Sequence, residues 1–100
     1  MADKVIVKVE AEIKDLIPNF LANRRKDIAA LERALVTRDY RSCQDIGHNM
    51  KGVGGGYGFD DITTIGIRLE AAAKNNNDEE IAACLAFVRD YLERVEIVYV

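Results

Sequence analysis

Apolar positions along most of this chain recur three and four residues apart, and only its two ends break that rhythm. Near the start, Val5, Val7 and Val9 alternate with Lys4, Ile6, Lys8 and Glu10, which is an extended pattern rather than a helical one. The closing Ile97-Val-Tyr-Val100 is similarly β-prone, so the two ends are candidates to pair. Between them the pattern predicts helices. The first begins around Ala11, and Pro18 either opens a fresh helix or kinks this one. Phe20, Leu21, Ile28, Leu31 and Leu35 then form an apolar stripe that ends near Thr37.

Asp39 is placed to cap a second long helix, which runs into a glycine-rich stretch ending near Tyr57. Asp60 or Asp61 is a candidate cap for a third helix, with Ile62, Ile65, Leu69 and Ala72 as its seam. Asn75-Asn-Asn-Asp78 breaks the pattern, and Asn77 with Glu80 has the spacing of a capping box. Ile81, Cys84, Leu85, Val88, Leu92 and Val95 complete a fourth helix. Four amphipathic helices with short connections predict an all-α fold, an antiparallel four-helix bundle with a short N-terminal extension or helix. No repeat, linker or second domain interrupts residues 1–100, and the bundle core is expected over about 18–96.

Composition narrows the function. A net charge of −3 lacks the dense basic face of a nucleic-acid binder, and the one cationic cluster, Arg24-Arg25-Lys26, reads as a solvated helix face. No apolar run approaches the ~20 residues of a membrane span, and MADKVIVKVE lacks a signal peptide's apolar core. A cytoplasmic chain without membrane contact is therefore expected. Cys43 and Cys84 occupy apolar helical positions, as reduced core thiols would.

The stretch His48-Asn-Met-Lys-Gly-Val-Gly-Gly-Gly-Tyr-Gly58 contains the single histidine and five of the seven glycines. At about 100° per residue, Cys43, Ile46, Met50, Val53 and Tyr57 fall within an arc of roughly 80°, and His48 lies opposite its middle. The imidazole should face solvent. Gly52 and Gly55 share its face and leave it uncovered, whereas Gly47, Gly54 and Gly58 line a flank where a neighbouring helix can come close. Lys51 is one turn away, and Gln44 and Arg41 precede the histidine on the same side. An exposed nucleophilic imidazole beside a cation, on a face stripped of bulk, suits a phosphohistidine.

These residues resemble a known pattern. His48-x-x-Lys51-Gly52, followed by Gly58, resembles the signature of histidine-containing phosphotransfer (HPt) domains of bacterial two-component phosphorelays. Asp15-Leu-Ile-Pro-Asn-Phe-Leu21 and Leu69-Glu70-Ala-Ala extend the resemblance over nearly the whole chain. It implies a phosphorelay intermediate that exchanges a phosphoryl group between His48, through Nε2, and an aspartate of a response-regulator receiver domain. A hybrid histidine kinase is a further implied partner. On that reading Lys51 steadies the phosphoryl group, and Gly52 gives the partner clearance. The receiver brings the Mg²⁺, so the chain needs no cofactor or metal of its own, and it has no ATP-dependent kinase activity. The pattern departs in one place: many members carry a small Ser or Ala after Lys-Gly, where this chain has Val53 and three glycines.

Other readings have less to stand on. Neither GxxxxGK[ST] nor GxGxxG is present, since Tyr57 and Phe59 stand where the closing glycine would fall. The chain is too short to hold an ATP-binding domain as well, and one exposed histidine with two core cysteines makes no metal site. The alternative of another class is an adaptor of the same fold that docks on a receiver or kinase without carrying phosphate. Arg41, Gln44, Asp45, Gly52 and Gly55 are the expected docking residues around His48 and Lys51. Arg24, on the stripe of the first long helix, either snorkels past the core edge or adds positive charge near the site. A monomer is expected, because each apolar seam already has a use inside the bundle.

Overall fold

The computed structural model describes residues 3–100. Four helices, α1 (Ile17–Thr37), α2 (Tyr40–Val53), α3 (Asp60–Lys74) and α4 (Asp78–Arg94), form an antiparallel bundle. A short 3₁₀ helix, Ala11–Leu16, leads into α1, and Pro18 sits in the first turn of α1. A missing N–H costs nothing there, so the proline opens the helix instead of kinking it.

The predicted caps meet different fates. Asp39 accepts from the Ser42 amide at 3.1 Å and from the Ser42 hydroxyl at 2.7 Å, and so starts α2. The chain reaches it through Arg38 in the left-handed region, φ 56°. Asn77 caps α4 by accepting from the Glu80 amide at 3.1 Å. The Glu80 carboxylate, however, turns to Arg68 on α3, so only half of the capping box forms. Asp60 and Asp61 do not cap α3. They lie in its first turn, and buried Phe59 holds the N-cap position without a side-chain bond.

Two boundaries also shift. Helix α2 stops at Val53, four residues short of the expected end, and Gly55–Tyr57 continue as a 3₁₀ turn. Val95 belongs to a strand and not to α4. The ends of the chain do pair: β1 (Val5–Val9) and β2 (Val95–Tyr99) form a two-stranded parallel sheet, with Val5 opposite Val95 and Val9 opposite Tyr99. Such a pair is marginal alone. Here Val7 and Val9 are buried with the bundle core, at the end where α1 and α3 begin and α2 and α4 finish.

Phe59, Ile62, Met50, Leu31, Leu69 and Ile81 are among the largest fully buried side chains of the core. Phe20 stacks on Phe59, with ring centroids 4.9 Å apart, and Tyr57 covers the same ring at 4.6 Å. Cys43 and Cys84 are free and buried. Burial pushes the Cys84 thiol up to about 11 and raises Cys43 as well, so neither is a ready thiolate. No helix among the described residues is long and apolar enough to cross a membrane.

Candidate functional site

The closest helix pair in the bundle is α2 with α3, and glycine makes that approach possible. A Cβ at Gly47 would lie 2.6 Å from the Glu70 amide nitrogen, and one at Gly66 would lie 2.4 Å from that of Lys51. Real side chains do not tolerate such distances, so each glycine lets the opposite backbone in. Gly54 does the same against Thr63. Gly66 completes a contact that the α2 sequence alone only half describes.

This approach brings Glu70 of α3 under the histidine of α2. One Glu70 oxygen lies 3.0 Å from His48 Nδ1, and the other accepts from Lys51 Nζ at 2.7 Å. The Glu70 side chain is only 12% exposed, whereas His48 is 70% exposed and Lys51 39%. The Lys51 ammonium, with a smaller contribution from His48, holds the Glu70 carboxyl below the usual carboxylate range against the opposing effect of burial. An ionised carboxylate can only accept. Nδ1 must therefore carry the proton, which leaves the Nε2 lone pair free and directed away from Glu70.

The glycines around this imidazole divide by geometry. A Cβ added at Gly52 meets nothing within 4 Å, which is the open space that the helical wheel predicts. Gly55 lies beyond the end of α2 and turns toward α3: its amide donates to Thr63 Oγ1 at 2.8 Å, and a Cβ there would be in ordinary contact with Thr63 and Asp60. Gly58 is not part of a helix–helix flank either. It adopts φ +89°, and an added Cβ would lie 3.1 Å from the Lys8 carbonyl oxygen of β1. Its role is a left-handed turn against the sheet.

Arg41 and Asp45 are exposed on α2 and paired with each other at 3.4 Å, with Gln44 half-buried between them. Arg24 does not snorkel. It is 5% exposed, its guanidinium lies 4.9 Å from the centre of the Phe20 ring, and its Nε approaches Asp27 at 2.8 Å. That approach is off-line, leaving the buried Nε–H without a well-aligned acceptor. Burial outweighs Arg24 and raises the Asp27 carboxyl. Arg24 lines a recess of about 270 Å³ with Asn49, Val53 and Tyr57, level with the glycine run as an antiparallel hairpin requires. Its charge is engaged by Asp27 and not by His48 or Lys51.

The structure leaves His48 exposed with open space at Gly52, as the helical wheel expects, and adds beneath them Glu70, which sequence reasoning did not bring to this face. The available signal is Gly66, one turn before Glu70 on α3, which marks a face built for close approach. Comparison with curated proteins and with solved structures gives no match. The model of one family, described as the Hpt domain, matches residues 15–97, a span that takes in all four helices, the glycine run and the first residues of β2. The chain belongs to the Hpt-domain family, whose members carry phosphoryl groups in phosphorelays and are not autonomous kinases.

Proposed function

We propose that this chain is a phosphorelay intermediate in which His48 Nε2 accepts a phosphoryl group from a receiver-domain aspartyl phosphate and passes it on by the reverse step. The observation that carries the reading is the Glu70 bridge, which accepts from the Nδ1–H and so favours the tautomer that leaves Nε2 free, and which holds a lysine beside it. In the forward step the Nε2 lone pair forms the N–P bond as the P–O bond to the aspartate breaks, and the bonding pair leaves on the carboxylate. The ring keeps its Nδ1 proton and so gains positive charge, which the Glu70 carboxylate offsets. Lys51, exposed enough to swing off Glu70, balances the incoming phosphoryl oxygens as a mobile point charge. The receiver's own Mg²⁺ supplies the remaining charge stabilisation in such a transfer. The open space at Gly52 gives the partner backbone room to bring its aspartate in line.

Arg41, Gln44, Asp45 and Gly52 on α2, with Gly55 just past its end, form the proposed footprint of the receiver. The test is to incubate the protein and its His48→Gln variant with phosphorylated receivers. Acid-labile, base-stable label on the wild type alone is the expected result. Absence of label on both, with receivers that still bind, would instead make the chain a docking adaptor.

A further inference from the structure

A second polar groove lies at the strand end of the bundle and shares no residue with the His48 face. It encloses about 380 Å³ and is lined by Val5–Lys8 of β1 together with Gly58, Asp60, Asp61 and Tyr91. The Val9 carbonyl accepts from the Val100 amide at 2.9 Å, toward β2, whereas the Lys8 carbonyl points at Gly58. Alternation along a strand therefore turns the backbone groups of Ile6 and Lys8 outward, with Gly58 closing the Lys8 end. The stretch beside Ile6 is an open sheet edge.

Facing this edge are two carboxylates, Asp60 and Asp61, which make no ion pair among the described residues. Their place in the first turn of α3 suits the helix dipole and would by itself mean no more than that. Tyr91 is the independent observation. Its side chain is almost wholly buried, 3% exposed, yet its hydroxyl makes no hydrogen bond among the described residues and surfaces in the groove. A hydroxyl that opens into the groove from an otherwise buried ring can both donate to and accept from a bound segment. Burial, and then the charges of Asp61 and Asp60, push this phenol up to about 12, so it stays neutral and able to hydrogen-bond beside them. Among the described residues that line the groove, Lys8 is the one cation, against two carboxylates.

We propose that the groove receives an extended, arginine- or lysine-bearing segment of a partner protein, pairing its backbone with Ile6 and placing its cation among Asp60, Asp61 and the Tyr91 hydroxyl. Addition of a strand at an open edge supplies main-chain hydrogen bonds, and the acidic wall selects for charge. The added strand also converts a marginal two-stranded sheet into a three-stranded one.

The experiment titrates the isotopically labelled full chain with a capped pentapeptide of alternating valine and arginine, using the valine–glutamate peptide as control. The arginine peptide should shift the amides of Ile6, Gly58 and Asp61, with little response to the glutamate peptide. The double variant Asp60→Asn/Asp61→Asn should bind at least tenfold more weakly. Tyr91→Phe, which keeps the ring, should bind roughly threefold to tenfold more weakly. Equal responses to both peptides, shifts centred on the His48 face, no response up to millimolar peptide, or full affinity in the aspartate variant would each overturn the proposal. Should Tyr91→Phe prove unstable, the aspartate variant decides the matter alone.

Discussion

Glu70 shows how much a single carboxylate determines. Its two oxygens hold the two side chains on which the proposed chemistry depends, and it does so from a different helix. Replacement by an amide, Glu70→Gln, keeps the volume but can no longer impose the Nδ1 tautomer or offset a charged ring. With those charge-assisted hydrogen bonds weakened, transfer onto His48 should slow roughly 10- to 100-fold while receiver binding changes little. Single-turnover transfer rates set against binding isotherms check this. The depressed Glu70 carboxyl also has a signed consequence. Its stabilising contribution is present above the ordinary glutamate value of about 4.3 and is lost as pH falls through the lower folded value. A carboxyl NMR titration should therefore find its midpoint below that of a free glutamate. Lys51→Met should raise that midpoint more than His48→Gln, since Lys51 is the larger cause. The α2 pattern makes the exposure of His48 legible, because a helix's own periodicity decides which of its residues face out. The identity of the residue beneath the imidazole is not legible there, because that depends on how α3 slides against α2.

At the scale of elements, glycines in neighbouring turns carry opposite signs. Gly52 has open space where a side chain would go, so Gly52→Ala should stabilise the protein by about 0.5–1 kcal/mol through helix propensity alone. Gly66→Ala would drive a Cβ into the α2 backbone and should destabilise by about 1–3 kcal/mol, with separation of α2 from α3 and loss of the Glu70 contacts. Thermal melts of the two variants test both signs; at this chain length 1 kcal/mol moves the midpoint by about 4–8 °C. Gly52→Leu should likewise fold, yet place bulk beside the imidazole and abolish transfer; an unimpaired rate would refute steric clearance as the reason for this glycine. The early end of α2 belongs to the same scale. A continuous periodicity cannot reveal that the chain turns at Gly54 into a 3₁₀ turn against Thr63, so a helical wheel has no meaning for Gly55 and Gly58, which lie past the end of α2. Phe59 is illegible for a related reason: a lone aromatic between a turn and a helix has no period to mark it as core.

Over the whole molecule, the four-helix architecture was the most legible feature, because each seam repeats over three or more turns and the breaks at Arg38–Asp39 and Asn75–Asn77 are chemically distinct. The sheet was the least legible. Two five-residue segments ninety positions apart carry a β pattern, but nothing local specifies a partner, a direction or a register. What decides it is burial: Val7 and Val9 complete a core that the helices leave open near Ile17 and Phe59. Removal of residues 95–100 should therefore lower the melting midpoint and expose Val7 and Val9, while α2 and α3 keep Glu70 on His48. Amide exchange of the truncated chain, compared helix by helix, would show that division.

The direction of that sheet has a mechanical consequence. Because β1 and β2 run parallel, the chain enters the pair beside Val5 and leaves it beside Tyr99, at opposite ends. Tension applied through the flanking segments loads the ladder in shear, so its hydrogen bonds resist together; an antiparallel pair held from one end would peel open bond by bond. A bundle of helices is ordinarily soft when stretched. This one is buckled shut by its own two ends, and a pull along the chain must break that buckle before it reaches the helix bearing His48.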